Sequence, residues 1–147
     1  MLPPTILLVD DDEDYLEIAG RALRRDHLEA EVHVAHTGAD ALRLLGLDGD
    51  AAEVAPPRLA AAFVDLNMPG VDGWELLRRI RADERLRRLP VVILSSSSRA
   101  EDVRRSYDLG ANSYVVKQFD SMRPGSDVAR AARYWTEVNC CGPRPSP

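Results

Sequence analysis

The sequence predicts an α/β fold, a doubly wound five-stranded parallel sheet with helices on both faces. Three observations carry this. Short runs that are apolar throughout, such as Ile6-Leu7-Leu8-Val9 and Val91-Val92-Ile93-Leu94, suit strands buried on both faces. Segments with apolar residues at helical spacing follow such runs in regular alternation. Alternating strands and helices, joined by right-handed crossovers, leave few topologies other than a parallel sheet covered on both sides.

Each element has its own signal. Ile6-Leu7-Leu8-Val9 is the first strand and stops at Asp10-Asp11-Asp12. Tyr15, Leu16, Ile18, Ala19, Ala22 and Leu23 then recur at helical spacing. Glu31–Ala35 alternates, with Val32 and Val34 apolar, and reads as the second strand. Residues 39–45 form a helix with Thr37 as its N-cap. Residues 46–57 are a loop rich in Gly, Pro, Asp and Ala. Residues 59–66 form the third strand, ending Asp65-Leu66, and Asn67-Met68-Pro69-Gly70 is a turn. Asp72 precedes a helix with Trp74, Leu76, Leu77 and Ile80 on its apolar side. Pro90 leads into the fourth strand, which ends at the serines 95–98. A helix runs on to Leu109, with Gly110 as its stop. Ser113–Val116 is the fifth strand, and a last helix covers 127–138.

The 147 residues fit one domain with its own core, placed at 5–138, followed by a polar, Pro-containing tail at 139–147. With 45% hydrophobic and 29% charged residues the composition is that of a globular protein. A net charge of −5 gives no electrostatic support to a nucleic-acid partner. No apolar run is long enough to cross a membrane, and residues 1–5 lack the basic start of a signal peptide, so the expected location is the cytoplasm. About thirty residues follow the fifth strand, too few for a DNA-binding output domain. Cys140 and Cys141 are adjacent, unsuited to a disulfide framework or a spaced metal site. His27, His33 and His36 match no metal or phosphotransfer pattern and read as structural. Lysine occurs once, at Lys117.

In open parallel sheets, ligands sit outside the carboxyl ends of the strands. Here those ends carry Asp10 and Asp11, then Asp65, then Ser95, then Lys117. Each alone has a plainer reading: a solvated helix start, a turn acid, a loop serine, a surface charge. Four strand ends presenting complementary groups outweigh those readings. Carboxylates crowded together repel, and a divalent cation with oxygen ligands, Mg2+ or Mn2+, relieves this. One carboxylate is then free to attack a phosphoryl group. The metal and Lys117 offset charge on the transferring oxygens, and Ser95 can donate to one of them.

At this point the sequence closely resembles the receiver domains of two-component response regulators, which have a flavodoxin-like fold. The matching stretches are 6–11, 63–73, 90–98 and 109–117, and the resemblance covers residues 5 to 138. It implies that Asp65 accepts phosphate, and that Asp11, Asp65 and the backbone carbonyl of Asn67 bind the metal directly, with Asp10 acting through water. It implies that Ser95 is the switch hydroxyl, Tyr114 the switch aromatic and Lys117 the phosphate-binding lysine. Asn67 and Ser97 fall where the family tunes dephosphorylation, and Ser96 is small, as access to the phosphate requires. The protein would be a phospho-accepting switch, not an enzyme in its own right, served by a sensor histidine kinase or a histidine phosphotransfer protein. Tyr114 and Ser97 retain plain structural readings, as strand aromatic and helix start, and Trp74 reads as core.

Two features depart from the family pattern. Gln118 stands where proline, commonly after a cis bond, is usual; a non-proline cis bond costs about 2.5–4 kcal/mol, so a trans bond is expected. Tyr134-Trp135 near the end of the last helix resembles single-domain regulators paired with phytochrome-type histidine kinases. Trp135 is placed toward the sheet and Tyr134 at the solvent edge, which points to a homodimer through the C-terminal helix. The alternative, a helix packed only on its own sheet, stays open. Other function classes fit less well. A phosphorylation-independent interaction module has only Gln118 in its favour. An aspartyl-intermediate phosphatase would place a second acid where Asn67 stands. A flavin- or nucleotide-binding fold would want glycine, not acids, after the first strand.

Overall fold

The computed structural model describes residues 3–49, 58–117 and 126–140. The elements are β1 (Thr5–Val9), α1 (Glu13–Arg25), β2 (Glu31–Ala35), α2 (Gly38–Leu44), β3 (Leu59–Val64), α3 (Gly73–Ala82), β4 (Val91–Ser95), α4 (Ala100–Asp108), β5 (Ser113–Val116) and α5 (Asp127–Arg133). A π-helical turn, Tyr134–Val138, extends α5. The strands form one parallel sheet in the order β2-β1-β3-β4-β5. This is the doubly wound topology expected, with its change of winding direction between β1 and β3.

Strand parity divides the interior in two. Leu7 and Val9 of β1 face one way, joining Leu76, Leu77 and Ile80 of α3. Ile6 and Leu8 face the other, joining Leu16, Ala19 and Leu23 of α1 and Val128 and Ala132 of α5. β1, β3 and β4 are buried at every position, so their apolar runs supply both layers.

Side-chain caps fix the starts of α1, α2 and α3, the one at Thr37 as read from sequence. Asp12, Thr37 and Asp72 each accept from a backbone amide three residues on, those of Tyr15, Asp40 and Glu75. Gly110 ends the α4 region with φ 103°, a left-handed position natural to glycine. Ala111 N donates to Ser106 O and Gly110 N to Tyr107 O, closing that turn.

Three readings are refined. β3 ends at Val64, leaving Asp65 and Leu66 in the following turn. β2 alternates only weakly, because it is an edge strand: Val32 packs on the α1 side while Val34 is exposed. The last helix is α-helical only to Arg133. Asn139 N then reaches Tyr134 O, five residues back, at 2.7 Å. The wider turn accommodates adjacent large rings, with Tyr134 and Trp135 packed edge-on at 4.9 Å and 87°. Trp135 contributes to the α1/α5 layer as expected, and Tyr134 is exposed. Gln118 and its peptide bond, Cys141 and the tail from 141 lie outside the described residues, as do residues 50–57 of the loop. Among the described residues no helix is long and apolar enough to cross a membrane.

Candidate functional site

The functional side chains start from backbone that the sheet itself fixes. Asp10 follows β1, and its amide donates to Ala35 O at 3.1 Å. Asp65 follows β3, and its amide donates to Val9 O at 2.9 Å. Lys117 follows β5, its amide donating to Ser95 O at 2.8 Å. Each ladder thus runs one residue past its strand and delivers a charged side chain to the same edge of the sheet.

Four of the predicted groups, Asp10, Asp11, Asp65 and Lys117, come together at this edge. Carboxylate oxygens of Asp10, Asp11 and Asp65 all lie within 4.8 Å of one another. Asp10 and Asp65 are buried, and Asp11 is exposed at the mouth. The Lys117 ammonium sits 2.6 Å from Asp10 Oδ2 and 3.5 Å from Asp65 Oδ1. It also lies 4.4 Å above the Tyr15 ring, a cation–π contact from the first turn of α1. Asp10 Oδ1 accepts the amide of Asp12 at 3.0 Å, which pins that carboxylate.

Burial pushes the Asp65 carboxyl up to about 6, and the neighbouring charges of Asp10 and Asp11 add to the rise; Lys117 pulls the other way without cancelling it. One ammonium among three carboxylates leaves the cluster short of positive charge. An all-oxygen donor set of this kind suits a hard divalent cation such as Mg2+ or Mn2+. Asp10, Asp11 and Asp65 are the side chains that would hold it. Asn67 is exposed in the turn two residues beyond Asp65.

Ser95 ends β4 fully buried, and its Oγ accepts the Ser97 amide at 3.2 Å. Ser96 is exposed. Tyr114 packs against the α3 layer, and its hydroxyl donates to Ser97 O at 2.8 Å, tying β5 to the loop after β4. Tyr134 and Trp135 are not part of this cluster; they belong to the turn that ends α5. The histidines lie elsewhere. His27 follows α1 with φ 54°, His33 is 3.5 Å from Glu31, and His36 is exposed.

Sequence reasoning missed two supports. One is Tyr15, read only as part of an apolar face. The other is Gly73, at the start of α3. A Cβ there would lie 2.2 Å from Asp65 O and 2.9 Å from Leu66 Cα, so only glycine lets α3 approach the turn that carries Asp65. Its amide donates to Leu66 O at 3.1 Å. The glycine after the Asp72 cap was the available signal. Trp74, read as core, is half-buried and donates from Nε1 to Ser106 Oγ at 3.2 Å, joining α3 to α4.

A family model described as the response regulator receiver domain matches residues 6–123. The response regulator Rcp1 of Synechocystis sp. is 33% identical over 136 residues, covering 92% of this chain and 91% of its own. The crystal structure of the phosphorylated cyanobacterial phytochrome response regulator RcpA superposes with a TM-score of 0.82 at 30% identity, covering 98% of this chain and 99% of its own. The Mn2+-bound form of Rcp1 gives 0.82 at 28% identity, covering 96% and 100%.

Proposed function

The chain belongs to the response regulator receiver domain family, proteins of phosphoryl-accepting two-component signalling, and from that premise we propose that Asp65 is the residue that takes the phosphoryl group. The observation that carries this is the setting of the Asp65 carboxylate: buried, beside Asp10 and Asp11, and 3.5 Å from the only lysine in the sequence. An Asp65 oxygen attacks phosphorus, the bond from phosphorus to the donor breaks (P–N in a phosphohistidine, P–O in acetyl phosphate), and the donor's leaving group departs with the electron pair. Lys117 supports charge on the transferring oxygens, and the Ser95 hydroxyl donates to one of them. A divalent cation, Mg2+ or Mn2+, held by Asp10, Asp11, Asp65 and the carbonyl of Asn67, would neutralise the remaining negative charge. That Rcp1 has an Mn2+-bound form supports the assignment. Slow loss to water, tuned at Asn67 and Ser97, resets the switch, and Tyr114 moves with it.

Residues 5–138 act as one receiver domain in this reading. The donor is a histidine kinase, and the phytochrome regulators among the structural neighbours favour a phytochrome-type one. A homodimer through the C-terminal helix is supported by Tyr134 and Val138, which expose 47% and 67% of their surface on its last turn.

Acetyl phosphate with Mg2+, read by intact mass, tests the assignment. Wild-type protein should gain one phosphate and Asp65→Asn none, with chelator abolishing the gain. Phosphate appearing on Asp65→Asn at the wild-type rate would overturn it.

A further inference from the structure

A buried carboxylate outside the cluster has no part in the roles above. Asp102, in the first turn of α4, is 7% exposed. Its Oδ2 accepts the Ser97 hydroxyl at 2.5 Å and Arg99 Nε at 3.1 Å, while Oδ1 accepts Arg99 Nη2 at 3.3 Å. The Ser97 hydroxyl and the Arg99 guanidinium hold its carboxyl below the usual range. Its backbone carbonyl accepts Ser106 Oγ at 2.8 Å, and Ser106 Oγ accepts Trp74 Nε1. Arg105 covers the Trp74 ring at 4.0 Å. Asp102 is therefore held from its own helix, and that helix from α3.

What Asp102 holds in turn is Ser97, a residue that meets the site twice. The Ser97 amide donates to Ser95 Oγ, and the Ser97 carbonyl receives the Tyr114 hydroxyl. A hydroxyl that accepts on one lone pair keeps its own hydrogen for another acceptor. With Ser97 fixed, Ser95 is preset as a donor, its proton available to an oxygen of an incoming group. With Ser97 loose, the Ser95 hydroxyl rotates and the carbonyl that receives Tyr114 drifts.

We propose that Asp102 is a positioning residue for phosphoryl transfer, acting through Ser97 to preset the Ser95 hydroxyl and to seat Tyr114. The proposal rests on Asp65 being the acceptor. A purely structural acid would lower stability. A positioning acid makes its effect on rate depend on Ser95.

The experiment is a double-mutant cycle on the rate of phosphate gain from acetyl phosphate with Mg2+, followed by intact mass. Asp102→Ala should slow the gain about fivefold, the size expected for losing one oriented hydrogen bond. In a Ser95→Ala background the same change should alter the rate less than about twofold. Asp102→Asn, whose amide oxygen still accepts from Ser97, should recover most of the rate. Equal factors in both backgrounds, or no slowing at all, would overturn the role. Should Asp102→Ala lose its cooperative melt, Ser97→Ala takes its place in the cycle, with the same expected pattern. No phosphate on wild-type protein would instead overturn Asp65 as acceptor, so the two failures are distinct.

Discussion

Asp65 is a carboxylate whose surroundings favour its protonated form. Its folded value of about 6 exceeds the 3.8 of an unperturbed carboxyl. Between those two values the folded state binds a proton that the unfolded state does not, so stability falls as pH rises through the window. The penalty is absent near pH 4 and complete above about 6. In chelator at pH 7.5, Asp65→Asn should therefore be more stable than wild type, by on the order of 2 kcal/mol. Denaturant titrations should show the two converging near pH 4. Gly73 acts in the opposite sense. Gly73→Ala must displace either α3 or the Asp65 turn, costing about 2–3 kcal/mol and slowing phosphate gain as well. Urea melts and the mass assay report the two effects separately. Charged side chains at strand ends were legible because strand polarity alone aims them at one edge. Gly73 and Asp102 were not, because a close approach between α3 and a turn, and a bond from Ser97 to the next helix, are tertiary facts with no periodicity.

At the level of elements, polar clamps complete what the apolar layers begin. Arg81, near the end of α3, donates to Gly110 O from Nε and Nη2 at 3.0 and 2.8 Å, and to Leu89 O from Nη1 at 2.7 Å. It also meets Asn112 Oδ1 at 2.7 Å, and that oxygen accepts the Val91 amide. One planar guanidinium thus binds the segments leading into β4 and β5. A lysine cannot reproduce this fork. Arg81→Lys should cost about 2 kcal/mol in urea melts yet leave the phosphate-gain rate within about twofold, because the clamp lies at the amino edge of the sheet. The elements were legible where apolar spacing was regular, as in α1 and α3, or where a cap marked the start, as Thr37 does for α2. Sequence spacing did not reveal the π-helical turn. A five-residue hydrogen bond differs little in pattern from a four-residue one.

For the whole molecule, two apolar layers share one sheet and tie the described elements into one unit. A homodimer through the last helix would add exposed Tyr134 and Val138 to that unit. Sedimentation equilibrium should then show self-association that Tyr134→Ala weakens by about tenfold or more, as for an aromatic anchor at an interface. The strand order carries a further consequence. β1 pairs with β2, and β3 with β4, across one short crossover each, whereas Val9 and Val64 pair across about 55 residues of chain, the most distant strand contact in the sheet. The chain thus falls into an amino-terminal piece and a carboxyl-terminal piece that meet along the β1–β3 seam. Asp10 and Asp11 arrive on one piece, Asp65 on the other. On sequence separation alone, the acid cluster should come into being only when the pieces dock, after most local structure has formed. A cation bound there should act as a brake on unfolding and not as a spur to folding. In a chevron plot, millimolar Mg2+ should slow the unfolding limb and leave the refolding limb where it was.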